Sequence, residues 1–136
     1  MIGAIDPGLT GAIAVSDPRS GDFKVYPMPV ARQKVGKVIR KVLDEDAIVA
    51  TIVLLTDAGV TDWFVEKVGG IRGQSASGAF NFGFGVGLIV AAIKTTPARL
   101  HRVTPQKWKG ELNVPADKEQ ARARANDLLP MIKHLW

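Results

Sequence analysis

The sequence predicts an α/β domain: a mixed sheet with helices packed against it. Three observations carry that expectation. Strand-like segments separated by turn signals come first, three in a row. The hydrophobic spacing then switches to a helical period, and strand-like and helical segments alternate to the end. The chain has 136 residues and is 46% apolar, enough for one buried core. The expected order is β-β-β-α-β-α-β-α, a single domain over residues 1–136.

Residues 2–6 and 11–16 read as strands joined by a tight turn at "DPG" and Thr10. "SDPRSGD" is a second turn and leads into a strand at 23–28. These three strands form an antiparallel meander. From Val35 the apolar residues Val35, Val38, Ile39, Val42 and Leu43 follow helical spacing, which predicts a helix to about Leu55. Its second half, "AIVATIVLL", is rich in β-branched residues and also suits a strand. "WFVEKV" at 63–68 reads as a buried strand, followed by the Gly/Ser-rich loop "GGIRGQSASG". Residues 79–94 read as a helix in which Gly83, Gly87 and Ala91 form a smooth stripe for close packing. "RLHRV" at 99–103 is a strand ending at Thr104–Pro105, and "PQKWKGEL" is a short helix. The last helix spans 117–129, with Asp117 and Gln120 in capping-box positions and Pro130 at its stop.

Composition excludes several chemistries. With no cysteine there are no disulfides, thiolate metal sites or thiol nucleophiles. The N-terminus lacks the basic segment and apolar run of a signal peptide. "AIVATIVLLTDAGV" is interrupted by Asp57 and too short to span a bilayer. The expectation is a soluble protein of the cytoplasm, without a membrane partner. The formal charge of +5 favours a polyanionic partner. His101 and His134 have no zinc-ligand spacing, and "GFGVG" lies within a helix, so it is no dinucleotide loop.

Two acids stand out. Asp6 closes the first strand, and Glu66 lies inside a short apolar strand. A buried, unpaired carboxylate costs several kcal/mol, so each needs solvent, a cation or a hydrogen-bonding turn. Asp-Pro-Gly is itself a turn former, in which Asp6 would accept from the N–H of Gly8 or Leu9. Glu66 could equally face outward from an edge strand beside Lys67 or Lys24. If both strands are central and adjacent, the two carboxylates converge at one end of the sheet. Oxygen ligands so placed suit a hard divalent cation.

"IGAIDPGLTGAIAV", "FVEKV", "GQSASGAFNFGFGVG", "HRVTPQKWK" and "DKEQARARA", in this order, resemble the RuvC-type Holliday-junction resolvases, in particular their small phage-like relatives. The resemblance runs from Met1 to about Pro130. It implies an RNase H-like fold, a homodimer, and Mg²⁺- or Mn²⁺-dependent nicking of four-way DNA junctions in a bacterial host or phage-infected cell. By motif position it implies that Asp6 and Glu66 are catalytic carboxylates and metal ligands. Relatives complete the site with further acids on a final helix, and "MIKHLW" contains none. The resemblance therefore also leaves room for a catalytically silent module that binds junctions.

The DNA-facing candidates are Arg72, Gln74 and Ser75 in the glycine-rich loop, Lys107 and Lys109 around Trp108, and Lys118 on the last helix. Trp108 suits either base stacking or the core. Arg32, Lys34, Lys37, Arg40 and Lys41 place five cations within ten residues. Lys34, Lys37 and Lys41 share one face of the expected helix, a solvated face by default. "DPGLTG" also resembles the first phosphate loop of actin- and hexokinase-type proteins, which need two lobes where this length allows one.

Overall fold

A computed structural model describes residues 1–69, 73 and 75–135. Five strands form one sheet in the order β3-β2-β1-β6-β7. They are β1 (Ile2–Ile5), β2 (Ala12–Asp17), β3 (Asp22–Pro27), β6 (Asp62–Glu66) and β7 (Arg99–Val103). Strands β4 (Val30–Val35) and β5 (Val38–Leu43) form a separate two-stranded sheet. The helices are α1 (Glu45–Asp57), α2 (Ala76–Lys94), α3 (Pro105–Glu111) and α4 (Lys118–Leu128), followed by a 3₁₀ segment at Pro130–Leu135. The chain divides into two compact units, Met1–Arg102 and Val103–Trp136.

The expected meander is present: β1 pairs antiparallel with β2, and β2 antiparallel with β3. The mixed character comes from β6, which pairs with β1 in parallel. Alternation along the strands separates the two faces. Ile5, Ile13, Val15, Trp63 and Val65 point into the core, where they meet Ile48 and Ile52 of α1 and Ile89, Ala92 and Ile93 of α2. Ile2, Ala4 and Phe64 have the opposite parity and are exposed. Gly3 lies beside Trp63 in the β1–β6 register, and a Cβ there would run into the indole ring. The absent side chain lets the largest core residue close the sheet. The indole N–H donates to Thr56 Oγ1 of α1 at 3.0 Å, so the buried polar atom is satisfied.

The helix expected from Val35 is not there. Residues 30–43 form a β-hairpin instead, and the helix begins only at Glu45. Val35 pairs with Val38, leaving Gly36 and Lys37 as a two-residue loop. Gly36 has φ +62°, as the first loop position of a type II′ hairpin turn requires. β-Branched residues on both sides favour the strands, and the period of the apolar positions fitted a helix by coincidence. Asp44 is the real start signal for α1: its side chain accepts from the Ala47 N–H at 3.0 Å, with Glu45 and Asp46 in the first turn.

The glycine stripe expected on the second helix also differs. Gly83, Gly87 and Ala91 are exposed, and a Cβ at either glycine would meet nothing within 4 Å. The close approach is made by Gly85, where a Cβ would collide with Leu43. By length and composition α2 could cross a membrane, but Val86, Ile89, Ala92 and Ile93 are buried.

In the second unit both helices are capped, and the cap at Asp117 is the expected one. Thr104 caps α3 with Pro105 in its first turn. Asp117 caps α4 by accepting from the N–H groups of Glu119 and Gln120, and α4 ends before Pro130.

Candidate active site

Asp6 follows directly on β1 and Glu66 ends β6. The parallel register pairs Ile2 with Asp62, Ala4 with Phe64 and Ile5 with Val65. One further step sets Asp6 beside Glu66 on strands spaced about 4.8 Å apart. Ile2, Ala4 and Asp6 share one parity, and Asp62, Phe64 and Glu66 share the matching one, so both acids belong to the same face of the sheet.

The turn after Asp6 positions its carboxyl. Asp6 N–H donates to the Ala12 carbonyl at 3.0 Å, and Gly11 N–H to the Gly8 carbonyl at 2.9 Å. A Cβ on Gly11 would meet the Asp6 carbonyl, so the turn closes only around a glycine there. The Gly8 N–H favours the ionised form of the Asp6 side chain. Asp6 thus closes a tight turn, and its carboxyl also lies close enough to Glu66 to feel its charge. The Asp6 pKa is raised, first by desolvation of the carboxyl and next by the charge of Glu66, against the Gly8 hydrogen bond. A carboxylate whose charge is disfavoured by burial and by a neighbouring acid is a ligand that a hard cation relieves. The pair suits one such ion completed by water. Among the described residues no group of three or more His, Asp or Glu could hold a metal.

The other expected site residues fall in different places. Arg72 and Gln74 lie outside the described residues. Ser75 is the N-cap of α2, its hydroxyl accepting from the Gly78 N–H at 3.1 Å. Lys107 and Lys109 are exposed on α3, and the Lys109 ammonium sits 5.5 Å from the ring of half-buried Trp108. Lys118 is exposed in the first turn of α4, where the helix dipole disfavours a cation. The three lysines belong to the second unit, and Asp6 and Glu66 to the first.

Sequence reasoning missed a cluster on the edge strand. Arg99 donates to both Asp62 oxygens at 2.8 and 2.7 Å, and His101 Nε2 lies 2.7 Å from Asp62 Oδ1. The His101 ring stacks on Phe64 at 4.6 Å. Arg99, then His101, holds the Asp62 carboxyl well below the usual carboxylate range. This cluster ties β7 to β6 at the end of β6 opposite Glu66. Its partners are 37 and 39 residues apart, so no local spacing announces it.

A Thermus thermophilus RuvC structure matches 95% of this chain and 80% of its own, with a TM-score of 0.58 and 18% identity. A second match, T. thermophilus RuvC in complex with a Holliday-junction substrate, covers 95% of this chain and 78% of its own, at TM-score 0.60 and 15% identity. The chain has the RuvC fold. No family model matches the sequence, and no curated protein does. The RNase H-like architecture expected from the motifs is thus present, and the likeness to RuvC is one of fold.

Proposed function

We propose that this protein is a metal-dependent crossover-junction endodeoxyribonuclease that nicks four-way DNA junctions. The observation that carries the reading is the register of Asp6 against Glu66, on one face and at one end of the sheet, with Glu66 raising the proton affinity of Asp6. The RuvC fold, one example of which is in complex with a Holliday junction, supports the substrate class.

Asp6 and Glu66 would hold Mg²⁺ or Mn²⁺, which supplies Lewis-acid activation and stabilises negative charge on the phosphodiester. The reaction is hydrolysis: a water oxygen bonds to phosphorus and the P–O3′ bond breaks. The tight turn through Gly8 and Gly11 would hold Asp6 in place before substrate arrives. Arg72, Gln74 and Ser75 would contact the strand being cut. Lys107, Lys109 and Lys118 would bind phosphates.

The active form in this reading is a homodimer, which sets one site against each of two junction strands. Support comes from α2, whose outer stripe carries Phe80 at 72% and Phe84 at 50% exposure beside Gly83, Gly87 and Ala91. Such a protein acts in the cytoplasm of a bacterial or phage-infected cell.

A second reading is a junction-binding module without cleavage. It is favoured by the two-carboxylate donor set, since a two-metal mechanism normally uses more ligands. A labelled four-way junction incubated with Mg²⁺ separates the two. The nuclease reading expects nicks that Asp6→Asn reduces by more than about 100-fold, the upper cost of losing a mere supporting group around a metal. Binding without nicks selects the module, and nicks that survive Asp6→Asn refute the site.

A further inference from the structure

The β4–β5 hairpin has a composition that the fold does not explain. Between Val30 and Leu43 it carries Arg32, Lys34, Lys37, Arg40 and Lys41 and no acid. Its charge of +5 equals the net charge of the whole chain, so the remaining residues are neutral in sum. All five side chains are exposed, and among the described residues none makes an ion pair or side-chain hydrogen bond.

Arg32 pairs directly with Lys41, and Lys34 with Ile39. Arg32, Lys34 and Lys41 therefore share one face, with two cations directly opposite each other. Like charges in that position destabilise a strand pair, and a lone two-stranded ribbon is marginal to begin with. A hairpin that keeps this arrangement does so against its own stability.

Its root is at the acid end of the sheet. β3 ends at Pro27, paired with Ala12 just past the Asp6 turn. Met28 N–H donates to the carbonyl of Gly11, the residue folded against Asp6, at 3.0 Å. Asp44 N–H returns to the Pro29 carbonyl at 3.0 Å and closes the base of the hairpin. Six-residue strands give an arm of about 20 Å. Val38 and Ile39, 55% and 67% exposed, stand next to the turn.

We infer that the β4–β5 hairpin is a DNA-binding arm, which lays Arg32, Lys34 and Lys41 along the phosphate backbone of a duplex held beside Asp6 and Glu66. A two-stranded ribbon fits a DNA groove, and the unpaired cations would replace condensed counterions. The inference rests on the junction-nuclease reading for its substrate, but its test needs no cleavage.

The test compares wild type with the triple variant Arg32→Gln/Lys34→Gln/Lys41→Gln, measuring affinity for a four-way junction as a function of salt. The arm predicts a salt dependence shallower by about 2–3 in log–log slope and binding weaker by about tenfold or more at 0.1 M salt. It also predicts a melting temperature equal to or above wild type, since the facing cations are gone. Glutamine keeps the strand edges polar. An unchanged slope in a folded variant therefore means that the charges only guard those edges, and overturns the arm alone. Preference of the wild-type protein for anionic phospholipid vesicles over DNA overturns it as well. Wild type that binds junctions without nicking them, the slope still falling in the variant, refutes the nuclease reading and leaves the arm standing.

Discussion

The Gly8 N–H favours the Asp6 carboxylate, while desolvation and the neighbouring Glu66 disfavour it more strongly, and its proton affinity rises. The folded state therefore prefers Asp6 protonated. The stability this residue contributes is full below the unfolded pKa of about 3.9 and is lost as pH rises through the raised folded value. Above that value the Asp6 carboxylate costs stability. Asp6→Asn is accordingly expected to melt above wild type at pH 7, with the difference shrinking toward pH 4 and below. The same cost is what a cation would offset. Mg²⁺ should raise the wild-type melting temperature and leave that of Asp6→Asn unchanged. Calorimetry over pH and Mg²⁺ concentration checks both, and equal melting of the two proteins at pH 7 would mean that neither desolvation nor Glu66 disfavours the Asp6 carboxylate.

The pairing of β1 with β6 is the element on which the site depends, and Gly3 is its tightest point. Gly3→Ala drives a methyl into the Trp63 ring, an overpacking that costs about 1–3 kcal/mol. Gly83→Ala is the contrast. It sits in a helix with open space around it, so removing glycine flexibility stabilises by about 0.5–1 kcal/mol. Urea unfolding of the two variants should move in opposite directions. These glycines also show the limits of spacing as evidence. Gly83, Gly87 and Ala91 have the period of a packing stripe, yet the position in close contact is Gly85, facing Leu43. Periodicity marks which residues share a side of a helix, but not which side meets a neighbour. The hairpin taught the same lesson. Val35, Val38, Ile39, Val42 and Leu43 satisfy a helical period, and the Gly36–Lys37 turn with its β-branched flanks decided the outcome.

For the molecule as a whole, charge and apolar surface are unevenly spread. The β4–β5 hairpin carries five cations and no acid, and large exposed apolar side chains line α2. If the α2 stripe is the dimer contact, Phe80→Ser/Phe84→Ser leaves the fold intact and shifts sedimentation from dimer to monomer. A dimer that survives both changes places the interface elsewhere. Signals that act over a few residues were readable in advance: the meander with its Asp-Pro-Gly turn, the cap at Asp117, the stop at Pro130, and the two acids in strand settings. Each depends on local backbone preference or on side chains reaching the next turn. Only the tertiary structure set Asp6 beside Glu66, drew Arg99 and His101 onto Asp62, and split a helical-looking run into a basic ribbon rooted at the acid end. Those outcomes depend on which strands become neighbours. That is settled by burying Trp63 and the isoleucines of both helices in one core, a balance no short window of sequence contains.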